Sequence, residues 1–459
     1  MNFWQRLKQH PAGFKYVFFG ELAERSSFYG MRTILALYMT QILGFKENNA
    51  SLIMTWFIAS CYLTPMLGGL IADRWLGRYK TILYFSGPYI LGHLILGGWE
   101  SPVALFSALA LLALGSGSIK PNTSTLMGAM YEEQKKEAFL NEAFSYYYAA
   151  INIGSAISTF GLPWVRGTVK AYSMAHGMPE HEALSRGFAV ALIVPAALMA
   201  LAFVFFAIGK KHYPKDNPAE APVKTPEQRA SERATLGRIA GVFGLLIIWW
   251  LVYDQSASTW IYFANNHMDL HLWGDTSITA DAVQGVNQLM IVFLTPFFNW
   301  MWQAVKARRG GVDVPDTQKM FIGFIIVTVC MAIMAVSAYA VGEHKISVWW
   351  LILATLVVTM SELCVSVVGL EFAFKVAAPG TKSFVTACFF LTIFIGDFIG
   401  GLMDQMLWGK TSDGNFFLIQ AIAAGVITAA FWVVAKNFER NQAAVQASMA
   451  PPSHQVAGT

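Results

Sequence analysis

Apolar runs of about 20 residues recur along nearly the whole chain, and the short connections between them gather the charge. Each run is long enough to cross roughly 30 Å of hydrocarbon as a helix. The pattern predicts twelve spans, at about 15–42, 50–72, 80–98, 103–128, 138–162, 186–209, 237–264, 281–306, 318–341, 347–375, 383–408 and 414–436. One polar connection outlasts the others, 210-KKHYPKDNPAEAPVKTPEQRASERATLGR-238, and it divides the spans six and six. The expected plan is a six-helix bundle over 1–209, a solvated linker over 210–236 and a second six-helix bundle over 237–440. The small-residue, proline-containing tail 441–459 is expected to be disordered.

Composition supports this reading. Of 459 residues, 55% are hydrophobic and 13% charged, where a soluble domain carries roughly 25% charge. Mean hydropathy is +0.47. The chain therefore reads as an all-α polytopic membrane protein. No cleavable signal is expected, because MNFWQRLKQHPAG is polar and the first apolar run is too long. About 23 of the 32 Lys and Arg residues fall on the side of the termini and about six on the other. The positive-inside rule then places both termini, and the linker, in the cytoplasm. Cys61, Cys330, Cys364 and Cys388 lie unpaired in apolar runs and read as buried small hydrophobes. No nucleotide-binding loop, metal cluster or nucleophile–base pair stands out, so the sequence argues against an enzyme and against a metal or organic cofactor. The net charge of +4 gives no reason to expect nucleic acid.

The first span breaks the pattern. Within 20-GELAERSSFYGMR-32, Glu21, Glu24, Arg25, Phe28, Tyr29 and Arg32 fall inside an arc of about 140° on a helix. A charge at the bilayer centre costs at least roughly 2.5–3.5 kcal/mol, so this face must turn inward. Glu21 and Arg25 are spaced to pair. A buried ion pair that merely fixes helix packing is a poor use of such residues, since apolar packing stabilises better. Further isolated charges interrupt other spans: Lys120 in span four, Asp254 in span seven and Glu362 in span ten. Acids and bases from both halves, facing one midplane cavity, suit a zwitterion such as a short peptide. The lone His93 reads as a packing or hydrogen-bonding residue, and Asp397 in IFIGDFIGG as part of a close glycine-lined contact.

Between spans two and three, 68-GGLIADRWLGRYK-80 resembles the signature loop of the major facilitator superfamily. Its glycines permit close packing, and Asp73 can hold Arg74 or Arg78. The longer motifs are more specific. ELAERSSFYG, GSGSIKPN, SYYYAAINIGS, VYDQSASTW, VNQLMIVFLTPFFNW and 361-SELCVSVVGLEFAFKVAAP-379 resemble, in order, motifs of the proton-coupled oligopeptide transporter family. The likeness runs from about residue 14 to 400. It implies a major facilitator fold of twelve transmembrane helices in two six-helix bundles. The implied activity is proton-coupled import of di- and tripeptides by a monomeric multi-pass protein of the cell membrane, the inner membrane in a bacterium. Protons would be the coupling ion, and the bilayer and peptides its partners.

The resemblance also implies roles, position by position. Glu21, Glu24, Arg25, Lys120, Asp254 and Glu362 match residues tied to proton coupling. Arg25 and Lys120 would hold the peptide carboxylate, with Lys120 also pairing with the signature acids or the span-ten glutamate. Glu362 would meet the peptide amine, and Asn152 and Asn287 the peptide backbone. Tyr29, Tyr62 and Trp250 would line the pocket, and Arg32 with Asp254 would close an extracellular gate. There are departures: Ser26 and Phe28 replace aromatic signature positions, Thr55 stands where animal members carry a histidine, and Asp254 replaces a common glutamate. The linker leaves no room for the two extra helices of many bacterial members. Two other readings share these features: a facilitator moving a drug, nitrate or amino acid, and a peptide receptor without flux.

Overall fold

The computed structural model describes residues 9–136, 139–215, 226–376 and 382–449. The first half holds α1 (Phe14–Gln41), α2 (Glu47–Ile71), α3 (Arg78–Gly98), α4 (Pro102–Glu133), α5 (Leu140–Ala175) and α6 (Glu180–Gly209). The second holds α7 (Pro226–Tyr253), α8 (Thr259–His267), α9 (Gln284–Arg308), α10 (Asp316–Tyr339), α11 (Trp349–Glu362), α12 (Val368–Val376), α13 (Lys382–Leu407) and α14 (Asp413–Met449). A 3₁₀ turn, Asp254–Ala257, joins α7 to α8 as the seventh crossing. A π turn, Leu363–Val367, joins α11 to α12 as the tenth. One irregular turn begins at Asp254 and the other directly follows Glu362; backbone irregularity inside a membrane protein is tolerated where it lines a cavity.

Among the described residues, eight crossings are long and apolar enough to span a bilayer on those grounds alone. The others are α1, α3, α5 and α9, which are as long but diluted by polar side chains. Short strands cap the end away from the termini: β1 (Met268–Asp269) pairs in parallel with β4 (Ile346–Ser347), and β2 (His271–Trp273) pairs antiparallel with β3 (Thr276–Ser277).

Three expected boundaries change. The linker is shorter than 210–236, because α7 starts at Pro226; proline suits a first helical position, and EQRASERATL is rich in helix formers. Residues 216–225 lie outside the described residues. The tail is helical through Met449, since NQAAVQASM extends the last helix without a breaker. Only 450–459 fall outside the description. Finally, α5 continues past Pro163 to Ala175, so Arg166 and Lys170 sit on a helix rather than in a loop.

Within the first half α1 packs on α5 and α6, and α4 on α2 and α3. In the second, α10 packs on α14 and α7 on α13. The halves meet through two seams, α2 against α13 and α5 against α9. Close approach explains the glycines of α13. A Cβ on Gly396 would lie 2.5 Å from the Ile247 carbonyl oxygen and 2.7 Å from Trp250 Cβ on α7. One on Gly401 would run into Thr55 of α2. In the signature loop, Gly77 adopts φ 77°, a region that disfavours side chains. Among the described residues Asp73 forms no ion pair with Arg74 or Arg78; it is exposed, where such a pair contributes little.

Candidate functional site

Charged face of α1 and its surroundings. Arg25 is 2% exposed and sits between two acids of its own helix. Its Nε lies 3.3 Å from Glu21 Oε1 and in contact with Glu24 Oε2. Its Cζ stands 5.5 Å from the Phe28 ring. The Arg25 Nη2 has no hydrogen-bond partner among the described residues. A guanidinium held through one edge keeps its other nitrogens available to an anion. Gly154 of α5 lets this helix face seat closely, because a Cβ there would press on the Leu22 carbonyl and Ser26.

Arg25 opens onto a central cavity of about 1260 Å³ between the halves. Ten of the twelve residues expected at the site line it: Arg25, Tyr29, Arg32, Tyr62, Lys120, Asn152, Trp250, Asp254, Asn287 and Glu362. Glu21 and Glu24 do not; both are buried behind Arg25, at 1% and 0% exposure. The first half contributes three cations. Arg25, Arg32 and Lys120 share one crevice with Tyr29 and Tyr62, and Lys120 Nζ stands 4.8 Å from the centre of the Tyr62 ring. Among the described residues Lys120 has no carboxylate within ion-pair distance, contrary to the expected pairing with the acids.

The second half offers the acid. Asn287 Nδ2 donates to Glu362 Oε2 at 2.9 Å and to Thr359 Oγ1 at 2.9 Å. Trp249 Nε1 donates to Ser361 Oγ at 3.1 Å, and Ser361 donates on to the Gly323 carbonyl, which fixes the turn of helix carrying Glu362. Trp250 packs edge-on against Tyr253 and Phe389. Asn152 Nδ2 donates to the Tyr148 carbonyl one turn earlier at 2.9 Å.

The cavity closes at the end away from the termini. Arg32 Nη2 pairs with Asp254 Oδ1 at 3.0 Å. Around it, Ser51 donates to Asp404 at 2.5 Å, Trp408 to Glu47 at 2.9 Å and Asn266 to Glu47 at 2.7 Å. The opposite mouth is lined by Lys306, Asp313, Lys319 and Glu371. There partial burial works against ionisation of Asp313, yet Lys319 and Lys306 hold its carboxyl below the usual range. Lys375 bridges Glu371 at 2.6 Å and Asp316 at 3.0 Å, a tie within this half.

Several residues were not legible in the sequence. Arg166, expected in a connection, reaches the buried Asp281 ahead of α9, with Nη2 3.2 Å from Oδ1 and a second, shorter contact. The available signal was a base just beyond the fifth predicted span and an acid at the first position of the eighth. Because Asp281 is fully buried, Arg166→Met should destabilise the protein by about 3–5 kcal/mol, read as a fall in Tm. Replacing both residues with apolar ones should recover most of it. The lone His93 meets Ser27 Oγ at 2.8 Å, and Ser27 donates to the Pro195 carbonyl.

Comparison with known proteins extends the likeness. A family model described as PTR2, POT family, matches residues 79–226 and 221–419. Solute carrier family 15 member 2 of Mus musculus is 31% identical over 369 residues, 71% of this chain and 49% of its own length. Peptide transporter family 1 of Drosophila melanogaster is 32% identical over 356 residues, 69% of this chain and 46% of its own. The chain thus spans about half the length of the curated relatives it matches. The crystal structure of the POT family transporter PepTSo superposes with a TM-score of 0.79 at 25% identity, covering 94% of this chain and 99% of that one. A POT family transporter solved in complex with a thioalcohol conjugated peptide superposes with a TM-score of 0.81 at 21% identity, covering 94% and 97%; at that identity the likeness speaks for the fold. With the family model covering well over half of the sequence and this fold beneath it, the chain belongs to the POT family.

Proposed function

We propose that the protein imports di- and tripeptides together with protons across the cell membrane, as a monomer embedded in lipid. The observation that carries this reading is the polarity of the cavity. Arg25 and Lys120 face it from one half, Glu362 and Asn287 from the other. A peptide carries a carboxylate and an ammonium at opposite ends, and each added residue lengthens it by up to roughly 3.3–3.6 Å. The cations suit the carboxylate and Glu362 the ammonium, with Asn152 and Asn287 offering amide groups to the backbone between. The word peptide in the Drosophila relative's name agrees with this chemistry.

Alternating access follows from the two ends of the cavity. The end sealed by Arg32–Asp254 corresponds to the extracellular gate, and the open mouth faces the cytoplasm under the positive-inside rule. Protonation of an acid among Glu21, Glu24, Asp254 and Glu362 releases its basic partner, so gates and ligand compete for the same charges. No cofactor beyond the proton enters this scheme. Dialanine uptake into proteoliposomes under an imposed pH gradient tests it: accumulation is expected, and collapse of the gradient should abolish it. A facilitator of another solute would give no dialanine flux, and a receptor would bind without accumulating.

A further inference from the structure

The seam between α2 and α13 carries contacts that the scheme above does not use. α2 enters from the outer end, and as it advances its partners step back along α13. Trp408 Nε1, just beyond α13, donates to Glu47 Oε2 at 2.9 Å. Asn48 Nδ2 donates to the Gln405 carbonyl at 3.4 Å. Ser51 Oγ donates to Oδ2 of the fully buried Asp404 at 2.5 Å. Trp56 Nε1 donates to the Phe398 carbonyl at 3.3 Å, and the two rings stack at 4.9 Å with 6° between their planes. Gly401 makes room for this approach, because a Cβ there would lie 3.2 Å from Trp56 Cδ1 and overlap Thr55. The four rungs occupy residues 47–56 of α2, about 13 Å of helix. Deeper along the seam Tyr62 stacks on Phe390 at 6.2 Å, and both line the cavity. The ladder ends where the cavity begins.

Every rung joins one half to the other. Apolar helix faces gain little by meeting in a bilayer, since lipid tails are equally apolar; interhelical hydrogen bonds and close packing hold such seams instead. Arg32–Asp254 closes the outer end at one point, between α1 and the turn after α7. The ladder closes it along a line, on the flank. We infer that this ladder is a second closure of the outer gate, in which Trp56 and Ser51 position the halves by holding α2 on α13 while the cavity is open inward. Hydrogen bonds suit a closure that must also open. When the outer ends part, water reaches the rungs and takes over each donor and acceptor, so no polar group is left unsatisfied.

This inference rests on the alternating-access reading, and its test uses no peptide. Nitroxide labels are introduced as unnatural amino acids at Lys46 and Lys410, both exposed at the outer ends of α2 and α13. Double electron–electron resonance then reads their distances in the full-length protein in lipid. Trp56→Phe keeps a ring and removes the donor. It should raise the ratio of long to short distances roughly 3- to 20-fold, the effect of one such bond between membrane helices. Ser51→Ala should do likewise, and the two effects should multiply in the double variant. Trp164→Phe, on an exposed side chain of α5, should leave the ratio unchanged. A merely structural role would lower Tm without moving the ratio. An unchanged ratio in both Trp56→Phe and Ser51→Ala, or an equal rise with Trp164→Phe, overturns the second closure. Absence of dialanine uptake would sink the peptide reading and leave this result standing.

Discussion

Lys120→Gln is expected to weaken dipeptide binding roughly 10- to 150-fold while leaving the fold as stable as before or more so. The two halves of that outcome have one cause. Lys120 is a half-buried ammonium whose neighbour is the Tyr62 ring and which has no carboxylate within ion-pair distance among the described residues. Holding such a charge out of water costs free energy that a ligand recovers on binding. A hydrogen bond to a charged group contributes about 1.5–3 kcal/mol, which corresponds to the stated range in affinity. Competition against labelled dialanine measures the first half and thermal unfolding the second. Unchanged affinity would remove Lys120 from the carboxylate site. Arg25→Gln should behave differently, losing both affinity and stability, because Glu21 and Glu24 would be left buried without their counter-charge.

Glu24→Gln is expected to abolish gradient-driven accumulation while counterflow of the same peptide persists. Glu24 is fully buried, touches Arg25 and does not line the cavity. Its substitution should therefore spare the groups that contact the ligand. The amide cannot take up and release a proton, and it leaves Arg25 with one acid rather than two. A dipeptide zwitterion has no net charge, so the membrane potential acts on it only through a proton. That proton is worth about 2.3 kcal/mol per 100 mV and about 1.4 kcal/mol per pH unit. Together they support several hundredfold accumulation, which is the size of the effect at stake. Full gradient-driven uptake by the variant would remove Glu24 from the coupling path.

What was readable in advance follows from cost. A charge in a membrane helix is too expensive to be incidental, so Arg25, Lys120, Asp254 and Glu362 announce themselves in an apolar sequence. Their convergence needed only the assumption that none faces lipid. Arg166 escaped because the fifth apolar run was read to end at 162, whereas the helix continues through Pro163 to Ala175, and prolines inside long membrane helices are weaker stops than in water. Asp397 was legible as part of a tight contact, and Gly396 and Gly401 beside it do seat α13 against α7 and α2, but its burial at the junction of the halves lies beyond any local periodicity. Glu21 and Glu24 lie on the expected face, yet helical angle alone cannot separate a side chain at the cavity from one tucked behind Arg25. Which end of the cavity is sealed depends on contacts between halves, and the same residues serve either arrangement.

The polar stripe of α1 bears on how the chain is made. As the ribosome delivers it, this segment meets the lipid before the helices that later cover its charges, and it is poorly suited to remain there alone. Neither Arg25 nor its two acids can be shielded until α5 arrives, more than a hundred residues later. Biogenesis must therefore hold α1 in the insertion machinery, or against a chaperone within the bilayer, until later segments enclose it.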